Sequence, residues 1–360
     1  MLRQLKIGAL KLAEAAGLGS LVLQSRWRRE RLLILCYHGI ALDDEDRWSP
    51  GLYMPPALLR RRMELVRRSG CAVLPLDEAI TRLRAGTLPP GAVSLTFDDG
   101  AYDFYAAAWP ILREFGFPVT VYLTTYYSEY NRPVFDTMCS YLLWKGRGRD
   151  LAMPELGAAS VLLDDAGRAR AERQLCAWAS SHGYSGRDKD ALLARLAERL
   201  SIDYEGLCRR RLLHIMTPEE AADLARQRVD IQLHTHRHRV SEDRGRFLRE
   251  IEENRSKLPA QAPTPPRHFC YPGGFYLTAF PDWLRDCGVI SATTCQPGIV
   301  DRSSNPWLLP RLVDGAELTD CEFRCWLTGL AARLPHRRHP MSEGQLLEEK
   351  AAPSRADAHA

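Results

Sequence analysis

Ala92-Val93-Ser94-Leu95-Thr96-Phe97 runs directly into Asp98-Asp99-Gly100, and this stretch decides how the rest of the chain is read. A short, mostly apolar run rich in β-branched and aromatic residues suits a buried strand. The Asp-Asp-Gly after it marks a sharp turn, and Tyr102 to Phe115 then carries helical spacing. The same cadence recurs along the chain. Further strand-like runs are Leu32 to Tyr37, Cys71 to Leu76, Val119 to Thr124, Val229 to Leu233, Arg267 to Tyr271, Ile290 to Thr294 and Trp307 to Leu312. Helical spacing marks Pro56 to Ser69, Pro218 to Arg226, Arg246 to Leu258 and Ala279 to Cys287. Parallel strands with crossover helices follow. The chain is therefore expected to be α/β, a distorted, TIM-like (β/α) barrel of seven or eight strands, with a doubly wound open sheet as its competitor.

Three segments fall outside the cadence. Residues 131–214 read as polar helices, notably Ala171 to Ser180 and Asp190 to Leu200, with no strand, and are expected to be a helical insertion that serves as cover or docking surface. Residues 335–360, rich in Pro, Ala, Glu, Arg and Ser, are expected to form a disordered tail. Residues 1–30 read as an N-terminal amphipathic helix, leaving 31–334 for the barrel. Lys6, Lys11 and Glu14 interrupt the apolar runs of Met1 to Leu23 and no A-x-A site follows, so a secretory signal is not expected. That predicts a cytoplasmic protein, its first helix either packed on the domain or, through its basic residues, holding the chain peripheral at the inner membrane face.

Composition narrows the classes. The 360 residues are 45% hydrophobic and 26% charged, which excludes a wholly disordered, collagenous or multi-span membrane chain. The net charge of +4, from 49 basic and 45 acidic residues, is too balanced for a nucleic-acid binder without a concentrated patch. Ten cysteines without a C-x-x-C pair signal neither a zinc ribbon nor a disulfide framework.

Four strand-like runs end in groups able to do chemistry: at His38, at Asp98-Asp99-Gly100, at His234, and at Pro272-Gly273-Gly274. In a parallel barrel all such ends open on one face. One of two adjacent carboxylates can bind a cation while the other moves a proton, although Asp-Asp-Gly also suits a plain turn or cap. His234 and His238 are four apart, so a helix opening at Thr235 would aim both imidazoles at one ion, with His236 a bystander. Two histidines and a carboxylate make a facial triad with open positions for water and substrate.

Thr96-Phe97-Asp98-Asp99-Gly100 and His234-Thr235-His236-Arg237-His238 resemble the T-F-D-D-G and H-[ST]-x-x-H motifs of the polysaccharide deacetylases with NodB homology, the family-four carbohydrate esterases. The resemblance covers roughly Leu32 to Arg311. It implies Asp98 as general base and Asp99, His234 and His238 as ligands of a divalent metal ion, usually zinc. The third motif is resembled by the run from Phe269 to Gly274, and implies a substrate and oxyanion subsite at Tyr271, Pro272 and Gly273, with the Gly273 N–H on the oxyanion.

Two departures stand out. The third-motif arginine that orients the catalytic Asp is replaced by Cys270, and Arg267 lies three residues too early; Arg311 is the candidate to supply that guanidinium. The late Leu-x-x-His element is also absent. Leu35-Cys36-Tyr37-His38-Gly39-Ile40 opens the domain instead and resembles the permuted branch, typified by poly-N-acetylglucosamine deacetylases, which implies His38 as general acid. The implied activity is metal-dependent removal of N-acetyl or another small acyl group from the amino sugars of a polysaccharide or glycan precursor. The expected partner is that N-acylated glycan, with no nucleic acid, and the oligomeric state is left open. The alternatives are a non-catalytic glycan-binding or scaffold protein on the same fold, argued from Cys270, and a hydrolase of a different small amide.

Overall fold

Runs buried on both faces form the middle of a sheet, and runs of this kind build the centre of this molecule. A computed structural model of the chain describes residues 2–157 and 159–335; the segment expected to be a disordered tail lies, from residue 336 on, outside the described residues. Seven strands, β1 (Leu33–Tyr37), β2 (Val93–Phe97), β3 (Val119–Leu123), β4 (Asp230–Leu233), β5 (His268–Cys270), β6 (Ser291–Thr293) and β7 (Leu312–Val313), make one sheet in the order β6-β5-β4-β3-β2-β1-β7. Every pairing in it is parallel. All residues of β1, β2 and β3 are buried. The sheet curls: Leu309 pairs with Thr293 of β6, while Leu312 and Val313 pair with Leu35 and Cys36 of β1. The segment from Leu309 to Val313 therefore spans the seam between the two edges. This is a (β/α) barrel of seven strands, distorted where the seam crosses.

Ile34, Tyr122, Cys270 and Leu309 cluster with Leu76, Ala79, Ile80 and Leu83 of the helix Leu76–Ala85. Burying each of the larger apolar side chains contributes about 1.5–3 kcal/mol. The helices Pro56–Ser69 and Pro218–Arg226 begin and end at the residues the sequence marks. Each has proline in its first turn, where the missing N–H costs nothing.

Three expectations are corrected. Cys71 to Leu76 is not a strand: only Val73 bridges to Val93, because Pro75 lacks an N–H and Leu76 already begins a helix. Trp307 to Leu312 is not continuous, since Pro310 breaks the pairing between Leu309 and Leu312. The region 131–214 contains a two-stranded antiparallel ladder, Asp150–Leu151 with Val161–Leu162, too short for periodicity to reveal.

The described residues divide into two compact units, one within 2–131 and 214–335, the other within Arg132–Leu213. The second holds the helices Phe135–Lys145, Asp165–Ser181, Gly186–Arg199 and Tyr204–Arg209. Met138, Leu142, Leu175, Leu192 and Leu196 are buried in it, and Ser185 and Asp188 form a reciprocal capping box.

Candidate active site

The in-register pairing of Tyr37 with Phe97 sets His38 beside Asp98 at the same end of neighbouring strands. His234 leaves β4 two strands away, and Tyr271 leaves β5 beside it. The turn after β2 is tight: Asp99 and Gly100 both have positive φ, 68° and 74°. A Cβ at residue 100 would lie 2.3 Å from the Leu123 side chain, so only glycine fits. Turning at once, the chain sends Asp98 inward, where it is 2% exposed, and leaves Asp99 half-buried facing the histidines.

Asp99 Oδ1 lies 3.1 Å from His234 Nε2 and 3.0 Å from His238 Nε2, and the two imidazole centroids are 4.9 Å apart. One donor atom from each of these residues falls within 4.8 Å of the other two. The expected helix at Thr235 does not form. Residues 234–240 are a loop in which Thr235 and His238 take positive φ, 62° and 54°. Glu250 holds this loop by accepting from the Arg237 N–H and pairing with its guanidinium, while its carbonyl takes the His236 N–H. His236 turns away: its ring meets Thr125 Oγ1 and its carbonyl accepts from the Thr125 and Tyr126 N–H groups.

His234 is fixed from two sides. Its Nδ1 donates to the Cys270 carbonyl at 2.8 Å, which orients the ring so that Nε2 faces Asp99. Its backbone N–H donates to Asn254 Oδ1, while Asn254 Nδ2 donates to the Leu123 carbonyl and Thr125 Oγ1. Asn254 was missed in the sequence, although it shares the buried face of its helix with Phe247 and Ile251, where a polar residue is itself a signal. Burial alone would lower the His234 pKa, but the bond to Asp99 and the charges of Asp99 and Asp98 raise it. Burial alone would raise the Asp99 carboxyl, but His238 and His234 hold it well below the ordinary range. Two imidazole nitrogens and a carboxylate oxygen of this chemistry fit a divalent cation of the zinc type.

Beside them Arg311 forks onto Asp98, Nη1 to Oδ1 and Nη2 to Oδ2, both at 2.7 Å, and it also reaches Thr96 Oγ1 and the Thr294 carbonyl. Burial pushes the Asp98 carboxyl up, yet the Arg311 charge and hydrogen bonds, with His38 and His234, bring it below the usual range and keep it ionised. Cys270 Sγ and Cys36 Sγ lie 3.3 and 3.5 Å from Asp98 Oδ2. Burial raises both thiols well above their ordinary value, so they remain neutral donors. The small Cys270 side chain leaves room for the Arg311 guanidinium, which passes 3.2 Å from its sulfur. His38 Nε2 lies 3.6 Å from Asp98 Oδ2, and burial, only partly opposed by Asp98 and Asp99, lowers its pKa.

The Tyr271–Gly274 turn sits alongside. Tyr271 N–H donates to the Thr293 carbonyl, Gly274 N–H to Tyr271 and Phe275 N–H to Pro272; the Gly273 N–H is not among these bonds. Gly273 adopts φ 59°, and the Tyr271 hydroxyl donates to the Trp307 carbonyl, which keeps that side chain in the scaffold.

Residues 85–152 and 178–291, half the chain, match a family model described as polysaccharide deacetylase. The chain belongs to the polysaccharide deacetylase family. Members of this family are hydrolases of carbon–nitrogen bonds other than peptide bonds, and this chain is one of them. Among solved structures it is similar to the deacetylase PplD of Streptococcus pyogenes in complex with acetate, at 17% identity and a TM-score of 0.54, covering 83% of this chain and 98% of that one. It is also similar to IcaB from Ammonifex degensii, at 15% identity and a TM-score of 0.50, covering 84% and 97%. Both share the barrel. No curated protein sequence matches.

Removing the Arg311 fork leaves the Asp98 carboxylate buried with no full positive charge opposite. Arg311→Met is therefore expected to destabilise the fold by about 3–5 kcal/mol, read as a lower urea midpoint. A midpoint equal to that of the parent protein would show that Asp98 does not depend on this partner.

Proposed function

We propose that the chain is a metal-dependent deacetylase that removes N-acetyl groups from the amino sugars of a glycan or glycan precursor. One observation carries the reading: two imidazole nitrogens converge on a single Asp99 oxygen, beside a second carboxylate held ionised in a buried guanidinium fork. Asp99, His234 and His238 would hold the divalent ion. When bound, such an ion supplies a Lewis acid that makes water acidic near neutral pH and polarises an amide carbonyl.

The chain's own residues account for the proton traffic. Asp98, ionised, takes a proton from the attacking water as its oxygen bonds to the acyl carbon. The Gly273 N–H, which makes no backbone hydrogen bond, would donate to the carbonyl oxygen as negative charge develops there. His38, kept largely neutral by burial, is in the state that can take the proton from Asp98 and deliver it to the nitrogen as the C–N bond breaks. Acetate and the sugar amine leave. The 3.6 Å gap between His38 and Asp98 is longer than a hydrogen bond, and contacts of this kind tighten when substrate enters. Cys270 is no argument against catalysis, because Asp98 receives a guanidinium from Arg311 instead.

The decisive test is metal analysis of the purified protein together with acetate release from N-acetylated oligosaccharides. Stripping with a chelator is expected to abolish release, and Zn2+ to restore it. Retained metal with no acetate from a panel of acylated sugars would overturn the reading, as would unchanged release after metal removal.

A further inference from the structure

A helix lying on a domain ordinarily turns its polar residues to water and buries its apolar ones, but the N-terminal helices of this chain leave several large apolar side chains in water as well. In Leu2–Ala15, Ile7 and Leu10 are buried, and Glu14 pairs with Arg324 of the helix Asp320–Thr328. Leu5 and Leu12, seven positions apart and so on one helical face, are 62% and 75% exposed. Gly17, with φ 74°, turns the chain into Leu18–Gln24, whose axis is bent 77° from the first. Leu18 and Leu21 are exposed there too. Among the described residues only Leu52 and Leu162 are other large apolar side chains with such exposure, and both are remote in sequence.

Charge identifies the occupant. Residues 1–31 carry seven basic side chains and two acidic ones; of the seven, Arg28 is buried and Arg31 pairs with Asp301. Both acids are paired, Glu14 with Arg324 and Glu30 with Arg26, while Lys11, next to Leu12, is exposed. We infer that this face docks on the surface of an anionic lipid bilayer, with Leu5, Leu12, Leu18 and Leu21 entering the acyl boundary and Lys11 meeting the headgroups. A second copy of the chain fits less well, because it would bring two positively charged segments together. No single helix among the described residues is long and apolar enough to cross a membrane. Using the bent pair as a span would tear Ile7 and Leu10 from the domain. The Arg28 guanidinium, which donates to the carbonyls of Arg31, Ala92 and Leu327, ties the segment down.

The test is co-sedimentation of the full chain with vesicles of phosphatidylcholine alone or mixed with phosphatidylglycerol. Binding is expected to the anionic vesicles and to weaken with salt. The triple variant Leu5→Ser, Leu12→Ser, Leu21→Ser should lose binding by about tenfold or more, with its thermal midpoint unchanged because the three side chains are exposed. Lys11→Glu should weaken binding by about fivefold or more, on anionic vesicles only. A parent protein that stays in the supernatant with anionic vesicles, or a triple variant that binds as the parent does, overturns the inference. So does a concentration-dependent dimer that the triple variant abolishes while vesicles capture nothing, which would give the face to a second copy. None of these readouts depends on deacetylase activity.

Discussion

Asp98→Asn is expected to lower acetate release by about 10²–10⁴-fold while leaving the bound metal in place. The substitution preserves shape and removes the charge that takes the proton. Asp99, His234 and His238 make no hydrogen bond to Asp98, so the donor set should survive. One cost is built in: an amide presents an NH2 to one arm of the Arg311 fork, where donor now faces donor. The variant should therefore also unfold at a lower urea concentration, and its activity must be read on protein shown by circular dichroism to be folded. Full activity in folded Asp98→Asn would remove the mechanism proposed above.

For His234→Ala the expected result is different in kind: no retained metal and no measurable turnover. One nitrogen of this ring points at the shared Asp99 oxygen and the other at the Cys270 carbonyl. Truncation deletes a ligand and strands a buried carbonyl, a loss of about 1–3 kcal/mol in stability besides the lost affinity. Metal content by elemental analysis, beside acetate release, separates the two variants. If His234→Ala keeps a full complement of metal, the site assigned to Asp99, His234 and His238 is wrong, whatever happens to the rate.

Much of this geometry is legible before any coordinates, for a physical reason. A strand buried on both faces is rich in apolar residues, so a titratable residue just past its end is conspicuous; His38, Asp98 and His234 each directly follow a buried strand. Prolines and capping residues made the helix Pro218–Arg226 equally plain. What periodicity cannot show is backbone strain. The approach of His238 to Asp99 depends on left-handed conformations at Thr235 and His238, neither of which is glycine, and they are held there by Glu250 from a helix that begins six residues after His238. The thiols around Asp98 were also hidden. Cys36 reads simply as a strand residue and Cys270 only as a missing arginine, and only folding brings their sulfurs to one carboxylate oxygen.

The seam of the barrel links stability to chemistry. Arg311 lies between Leu309, which pairs with β6, and Leu312, which pairs with β1. Its own N–H is tied to the Gln296 carbonyl. The latch that closes the cylinder is thus the same short stretch of backbone that carries the counter-charge of Asp98. Partial unbuttoning at this join would leave helices and inner strands intact while withdrawing the guanidinium, so heat should silence such an enzyme before its secondary structure melts.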